Sequence, residues 1–216
     1  MNTSIRAMAM PIVALAMLVL VAGCAQTIPC QSNLRLDLPA GQKQTGKLTI
    51  RMADELRPLV VTVKPVKMPL TTSYKFQIGK TLEGNLTNTL GGLFQTVQVS
   101  TQAIEDIRSA PFVLEPELLD HRIKIGASIF SSHKAHLAIR YSFYRSGKKV
   151  FTLETQTDGT SAMESSEIVG HVVVSLASAG GGARGYRQSI GRAYDQALAK
   201  SIDELAAKLL AILPKR

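Results

Sequence analysis

The alternation of apolar and polar positions along the chain predicts a β-rich domain with two helices. Patterns with a period of two, typical of half-buried strands, occur in LRLDL, KLTIRM, LVVTVKPV, TVQVS and HRIKIGASIF. Apolar residues repeat at spacings of three and four near residues 79–95 and 186–213, which predicts two amphipathic helices. We therefore expect a single α+β domain over residues 34–216, a mostly antiparallel sheet with both helices packed on one face.

The clearest local prediction is a β-hairpin centred on the sequence RSGKK, residues 145–149. Ser146 and Gly147 are typical turn residues, and alternating segments flank them on both sides. On the returning strand we expect one face to carry Phe151, Leu153, Thr155 and Thr157. By contrast, Pro111 and Pro116 bound the acidic segment PFVLEPELLD, and predict a loop in which Glu115, Glu117 and Asp120 are solvated.

The first 23 residues differ from the rest of the chain. Arg6 precedes an apolar run from Ala7 to Val21, which is shorter than the roughly 20 residues of a bilayer span. This arrangement predicts a secretory signal peptide rather than a permanent transmembrane helix.

The residues that follow the apolar run, Val21-Ala22-Gly23-Cys24, resemble the bacterial lipobox. The resemblance implies cleavage between Gly23 and Cys24 and diacylation of the Cys24 sulfur, and Ala25 at the next position implies the outer membrane. The alternative is a plain signal peptide that leaves Cys24 as a free thiol. Residues 24–33 are polar and predict a short lipidated tether, in which Cys30 is either a free thiol in a disordered segment, the favoured interpretation, or half of an intermolecular disulfide.

Positive charge is concentrated rather than spread evenly. The whole chain carries a formal net charge of +9, and residues 121–150 contain seven lysines or arginines and no acid. This predicts a candidate basic contact surface for anionic lipid, lipopolysaccharide phosphates or acidic wall polymer. Solvated side chains on outward strand faces are the simpler explanation for most of these residues, and nucleic acid is not an expected partner. The surface comprises Lys134, Arg140, Arg145, Lys148 and Lys149.

Gly180, Gly182 and Gly185 match the G-x-G-x-x-G signature of dinucleotide sites. That site also needs an acidic residue at the end of a second strand about 20 positions on, but Asp203 and Glu204 fall inside the predicted C-terminal helix. We therefore expect no nucleotide cofactor, and interpret the glycines as a flexible loop. The preceding apolar segment, residues 168–179, is either a buried strand, which we favour, or a mobile flap.

Other catalytic patterns are weak. His133 and His136 lie in strand-like sequence, where positions three apart face opposite sides of a sheet, so this spacing does not predict a metal site. The sequence has no G-x-S-x-G nucleophile elbow. We expect no metal, no cofactor and no catalytic residue, and hold a hydrolase with an unrecognised site as the least favoured alternative.

The order of elements supports a more specific comparison. A lipobox and tether, strands, the helix GKTLEGNLTNTLGGLF leading into TVQVS, the RSGKKV hairpin and a final helix resemble small envelope lipoproteins of the YajG type and the auxiliary lipoproteins of ABC-type envelope transporters. The resemblance implies a non-enzymatic lipoprotein that acts as an adaptor or accessory subunit of an envelope complex. The alternative is direct binding of anionic lipid or lipopolysaccharide in envelope lipid transport. Cys24 alone carries over as a functional residue, and the inserted VVVSLASAGGGARG departs from the pattern.

Overall fold

The computed structural model describes residues 25–30, 43–65, 73–103, 110–126, 128, 130–164 and 183–213. Within these residues lie eight strands and two helices. In chain order they are β1 (Gln26–Thr27), β2 (Gln44–Arg51), β3 (Val61–Val63), β4 (Tyr74–Phe76), α1 (Ile78–Leu93), β5 (Phe94–Ser100), β6 (Phe112–Lys124), β7 (His133–Arg145), β8 (Lys148–Ser161) and α2 (Ala183–Ile212).

The strands form two mixed sheets. The larger sheet has the order β5-β2-β6-β7-β8, in which β2 is parallel to both β5 and β6. The β6-β7 and β7-β8 pairs are antiparallel over nearly their whole lengths. The smaller sheet has the order β1-β4-β3. Both helices contribute to one hydrophobic core, which confirms the predicted α+β class with mostly antiparallel pairing.

The predicted hairpin is present and its turn is tighter than the sequence suggested. Only Ser146 and Gly147 separate β7 from β8, and their φ angles are 47° and 75°. Positive φ at both central residues matches the twist of the flanking strands, which is why such turns join two strands through two residues. The Ser146 N–H also donates a hydrogen bond to the Pro111 carbonyl at 3.1 Å, and thereby joins the turn to the start of β6.

Helix α1 follows the predicted leucine stripe and ends earlier than expected. Leu82, Leu86 and Leu90 are fully buried, as a helical spacing of four requires. The prediction carried the helix to residue 95, whereas Phe94 has φ −115° and ψ 149° and begins strand β5 directly. The helix thus leads into the sheet without a connecting loop.

Helix α2 lies directly on the backbone of β8. A Cβ atom at Gly159 would stand 1.9 Å from the Ala193 carbonyl oxygen, so only glycine fits this approach. The Thr157 hydroxyl, two residues before Gly159, donates to the Ala197 carbonyl, four residues after Ala193, at 2.7 Å. From one contact to the next, the residue number falls along β8 and rises along α2, so the helix runs antiparallel to the strand.

Hydroxyl groups continue this helix-strand contact inside the core. The Ser201 hydroxyl lies 2.6 Å from the Thr155 hydroxyl and 2.9 Å from that of Tyr141, and all three residues are buried. Each of these three hydroxyls therefore has a partner, which removes most of the cost of burying it.

Two side chains of α2 also reach the outer edge of β8. The Thr160 N–H donates to Gln196 Oε1 at 3.2 Å, and Lys200 Nζ donates to the Asp158 carbonyl at 2.6 Å. These backbone groups lie on a strand that ends the sheet, so they would otherwise face solvent.

The acidic segment predicted to be a loop is part of strand β6, and that prediction was wrong. Strand β2 pairs only with Phe112–Leu114, so at Pro116 the described neighbour of β6 is β7 alone. A proline is tolerated in such an edge position because the N–H it lacks is not needed for a second ladder. Helix α2 also begins before its predicted start, so Gly185 is helical. The strand predicted at residues 34–38, the segment 168–179, Gly180 and Gly182 lie outside the described residues.

The contact at Gly159 predicts a specific loss of stability. We expect Gly159→Ala to lower the free energy of unfolding by about 1–3 kcal/mol, because the new methyl group forces α2 away from β8. The matched control is Gly91→Ala in α1, where no described atom outside the local helix backbone lies within 4 Å of the new Cβ. Urea unfolding compares the two variants, and an equal change in both would contradict this account.

Candidate functional site

The segment predicted as a tether is partly built into the domain. The Gln26 N–H donates to the Ser73 carbonyl at 2.8 Å and the Ile28 N–H to the Lys75 carbonyl at 2.9 Å, so β1 pairs with β4. Ile28 is buried in the core. The expectation of a disordered segment is therefore wrong for residues 25–30, because an apolar side chain and a backbone ladder hold them in place.

The chain enters the domain at the N-terminal end of α2. Strands β1 and β4 run in the same direction as this helix, because the Tyr74 ring lies 6.3 Å from Tyr186 and the Phe76 ring lies 6.1 Å from Tyr194. Cys24 lies outside the described residues, but two trans peptide units keep its Cα within about 7 Å of the Gln26 Cα. We call this end of the molecule, formed by β1, the first turns of α2 and the loop of residues 125–132, the entry end.

The β6-β7 loop is fastened to the entry end through Tyr186. The Tyr186 hydroxyl donates to the Gly126 carbonyl at 2.6 Å, and the Gly126 N–H donates to Nδ1 of His133 at 3.1 Å. The His133 ring packs edge-on against Tyr186 at 4.9 Å. Burial, and secondly the positive charge of Arg192, lower the pKa of His133 to about 4, so this histidine is neutral at pH 7.

The candidate basic residues do not form one patch. Lys134 lies at the entry end, whereas Arg145, Lys148 and Lys149 lie at the opposite end, beside the Ser146–Gly147 turn. Arg145 lies eleven positions after Lys134 on strand β7, a distance of about 37 Å at 3.4 Å per residue. We call the region of residues 145–150 the turn end.

The central member of that set, Arg140, is paired within the molecule. Its guanidinium donates to Glu154 at 2.7 Å and to Glu117 at 2.9 Å across neighbouring strands. The hydrogen bonds to Glu154 and then Glu117 raise its pKa further. Two carboxylates therefore offset this charge, and make Arg140 a poor phosphate ligand.

At the turn end the cations lie against aromatic rings. The Arg145 guanidinium is 6.0 Å from the centre of the Phe112 ring, and the Lys149 ammonium is 5.4 Å from that of Tyr144. A ring face attracts a cation without neutralising it. These residues therefore keep their positive charge at the surface.

The acidic residues of β6 are also paired, rather than solvated as predicted. Glu115 forms an ion pair with Arg51, and the Tyr144 hydroxyl donates to it at 3.5 Å. Asp120 pairs with Arg122 at 2.9 Å. The loop prediction missed the contacts of Glu115 because they join residues on different strands of a sheet, and that of Asp120 because its partner lies two residues later on the same strand.

His133 and His136 point to opposite faces of β7, as the alternation predicted. His133 is buried, whereas Nδ1 of His136 lies 2.9 Å from the Asp158 carboxylate on the outer face. The two rings therefore cannot bind one metal ion together.

Cys30 is shielded by its surroundings. Burial, and secondly the charge of Asp195, raise the pKa of its thiol from 9.0 to about 12, although a hydrogen bond with Thr81 works in the other direction. A thiol that stays protonated reacts poorly with oxidants and other thiols. This environment is the reverse of the exposed tether thiol that the sequence suggested.

A cleft of about 570 Å³ lies beside the part of β6 that β2 does not cover. Its apolar wall combines Leu56 and Leu59 with Leu118 and Leu119, and Arg51, Glu115 and His121 contribute polar groups. This volume is in the range of small-ligand sites. Sequence reasoning missed the cleft because its two walls are about sixty positions apart in the chain.

Comparisons with solved structures support the fold. Protein XCC0632 from Xanthomonas campestris, described as family-model DUF330, matches 87% of this chain over 95% of its own length, with 12% sequence identity and a TM-score of 0.51. Protein CT253 from Chlamydia trachomatis (9% identity, 78% of this chain and 99% of that one) has a TM-score of 0.43. A minor lipoprotein from Acinetobacter baumannii has 15% sequence identity and a TM-score of 0.33, and the match covers 79% of this chain and 98% of that one. The first match shows a shared fold.

Sequence comparisons add no family assignment. No protein-family model matches the chain, and no curated protein matches it. In the part of the chain that the structure describes, neither helix has the length and apolar character needed to cross a membrane.

The environment of His133 predicts a loss of stability in mild acid. Its folded-state pKa of about 4 lies below the value of about 6.5 expected for an unfolded chain, so unfolding takes up a proton between these values. The contribution present above pH 6.5 is lost as the pH falls toward 4, by up to about 2 kcal/mol between pH 7 and pH 5. Urea unfolding at both pH values should show a smaller difference for His133→Gln. An unchanged difference in that variant would assign the effect to other groups.

The shielding of Cys30 predicts slow alkylation. In a Cys24→Ser chain, where Cys30 is the remaining cysteine, we expect iodoacetamide at pH 8 to react on the order of 10²–10³-fold more slowly with the folded than with the urea-unfolded protein, because little thiolate is present. Mass spectrometry of timed samples measures both rates. Similar rates in the two states would show that the thiol is open to solvent.

Proposed function

We propose that the protein is a bacterial envelope lipoprotein that serves as a non-catalytic adaptor or accessory subunit of an envelope complex. In this proposal the signal peptide of residues 1–23 is removed, Cys24 is acylated, and the domain stands at the periplasmic face of the outer membrane. The shared fold with XCC0632 is compatible with this role but does not identify it.

The observation that carries the proposal is the position of β1 directly after the lipobox. Cys24 lies two residues before Gln26, which is hydrogen-bonded into the domain. Acyl chains on Cys24 would therefore hold the entry end against the membrane without a spacer. Several acyl chains suffice for stable anchoring, so no other membrane element is needed.

This orientation directs the turn end away from the membrane. The long axis of β7 and β8 would place Arg145, Lys148 and Lys149 about 40 Å from the entry end, estimated from the length of a 13-residue strand. Val150 beside them is 46% exposed. Retained positive charge beside an exposed apolar side chain suits a protein partner with an acidic rim.

The pairing of several described titratable groups on the sheet also favours a non-catalytic role. Arg51 and Arg140 hold Glu115, Glu117 and Glu154 in ion pairs, and His136 is paired with Asp158. A general base needs a carboxylate or imidazole that is free to accept a substrate proton. The carboxylates and the imidazole of these pairs are instead held by neighbouring side chains.

The alternative, direct binding of an anionic lipid or lipopolysaccharide, is supported by the cleft beside β6. Its leucine wall and the guanidinium of Arg51 would fit a small amphipathic anion. The pairing of Arg51 with Glu115 weakens this alternative, because part of the positive charge is already offset.

The two functions are separated by crosslinking in cells, followed by a mild-detergent pull-down and mass spectrometry. We expect one envelope complex to be enriched with the native chain and lost with Cys24→Ala. A triple variant at the turn end, Arg145→Ser, Lys148→Ser and Lys149→Ser, should lose several-fold more partner than the matched entry-end variant Lys134→Ser. Recovery of lipid without a protein partner would favour the alternative, and recovery of neither would oppose both.

A further inference from the structure

The loop between β6 and β7 presents an unusual residue to solvent. Phe130 is 74% exposed, more than any other large apolar side chain among the described residues. An aromatic ring in water is unfavourable because its apolar surface remains hydrated. Described residues of the loop are held by hydrogen bonds, since the Gly126 carbonyl accepts from the Tyr186 hydroxyl and the hydroxyls of Ser128 and Ser131 lie 2.9 Å apart. A single exposed apolar side chain is common on protein surfaces. Phe130 indicates a contact site through the charges beside it and its position at the entry end.

Two lysines flank this loop in an arrangement that brings two like charges together. Lys124 ends β6 and Lys134 begins β7, and the two are direct cross-strand partners. Like charges directly opposite each other destabilise a sheet. No described carboxylate forms an ion pair with either lysine, and the residue opposite Lys134 on β8 is the neutral Thr160. An anionic surface outside the chain would therefore relieve the repulsion between these two lysines.

The third observation is where this loop lies. Tyr186 contacts both Tyr74, which is the register partner of Gln26, and Gly126 at the base of the loop. A continuous set of contacts thus joins the residues just after Cys24 to the loop that carries Phe130. Whatever surface Cys24 meets, the loop meets at the same end of the molecule.

We propose that Phe130 together with Lys124 and Lys134 forms a second membrane contact beside the lipid anchor. Phe130 enters the headgroup region, and the two ammonium groups contact the phosphates of anionic lipids. Aromatic side chains favour this interfacial layer, and lysines near an anionic membrane surface are attracted to it. The proposal rests on the proposed acylation of Cys24, which supplies the high local concentration of bilayer that a small contact requires.

A second contact has a mechanical consequence. Acyl chains alone fix one point of the domain at the membrane and leave its tilt free. The loop provides another fixed point, so the long axis of β7 and β8 stands at a defined angle to the bilayer. The turn end is then presented to a partner at a constant height.

The chain contains no tryptophan, which makes the contact directly measurable. The full chain with Phe130→Trp is reconstituted into vesicles of phosphatidylethanolamine and phosphatidylglycerol that contain nitroxide-labelled lipid. We expect several-fold stronger quenching by the lipid than in the matched variant Val150→Trp, whose tryptophan lies at the turn end on another exposed apolar position. Aqueous iodide should show the reverse order. Both variants replace exposed residues, so their urea unfolding should match that of the native chain.

The charge component is tested in the same single-tryptophan chain. The added pair Lys124→Gln and Lys134→Gln, or vesicles of phosphatidylcholine alone, should reduce the lipid quenching of the tryptophan at position 130. The control pair Lys148→Gln and Lys149→Gln should leave it unchanged. Equal effects of the two pairs would overturn the assignment of the lysines.

The mass of the purified chain reports acylation independently of these signals. If the chain is acylated and the tryptophan at position 130 is quenched by iodide but not by lipid, the membrane contact is wrong and the anchor stands. If the chain is not acylated and that tryptophan is still quenched by lipid, the anchor is wrong and the contact stands. Protection from both quenchers would show that protein covers the loop, which also overturns the proposal.

Discussion

The seating of α2 on the backbone of β8 is the constraint on which the rest of the structure depends. At Gly159 the helix backbone packs directly against the strand backbone, with no side chain between them. The hydroxyls of Thr157 and Thr155 then form hydrogen bonds with successive turns of the helix. This contact fixes both the direction and the axial position of α2. Tyr186 is placed accordingly, and it positions the β6-β7 loop and the strand that receives the N-terminal segment. One helix-strand contact therefore determines which end of the molecule lies beside Cys24.

Charge follows the same long axis. In the middle of the outer face, the two carboxylates of Glu117 and Glu154 more than offset the charge of Arg140, so this cluster is not a basic surface. Toward the two ends, at Lys134 and near Arg145, lie cations that form no ion pair with a described carboxylate. In the proposed function, this division would let the domain contact an anionic surface with one end and a protein with the other. It also explains why the basic composition of residues 121–150 by itself did not predict a location for binding.

Local patterns predicted the local structure well. The spacing of Leu82, Leu86 and Leu90 identified α1, and Ser146–Gly147 identified the hairpin, because these signals act over a few residues. Long-range pairing was not predictable in the same way. Pro116 indicated a loop because the sequence does not show that β2 stops short of this position, and Ile28 gave no sign that β4 would be its partner. The candidate site depends on these distant pairings. The sequence therefore supplied its residue types but not their distribution between two ends.

The hydrogen bonds from Gln196 and Lys200 to the edge of β8 would have a further consequence if many copies were anchored in one membrane, as proposed. Lipid anchoring confines molecules to two dimensions and raises the frequency of their collisions. A long terminal strand with free amide and carbonyl groups is a template for pairing with the same strand of a neighbour. Here the Thr160 amide and the Asp158 carbonyl are already occupied by side chains of α2. If the chain is anchored as proposed, the helix that builds the core would also keep these two groups from pairing with the same strand of a neighbour.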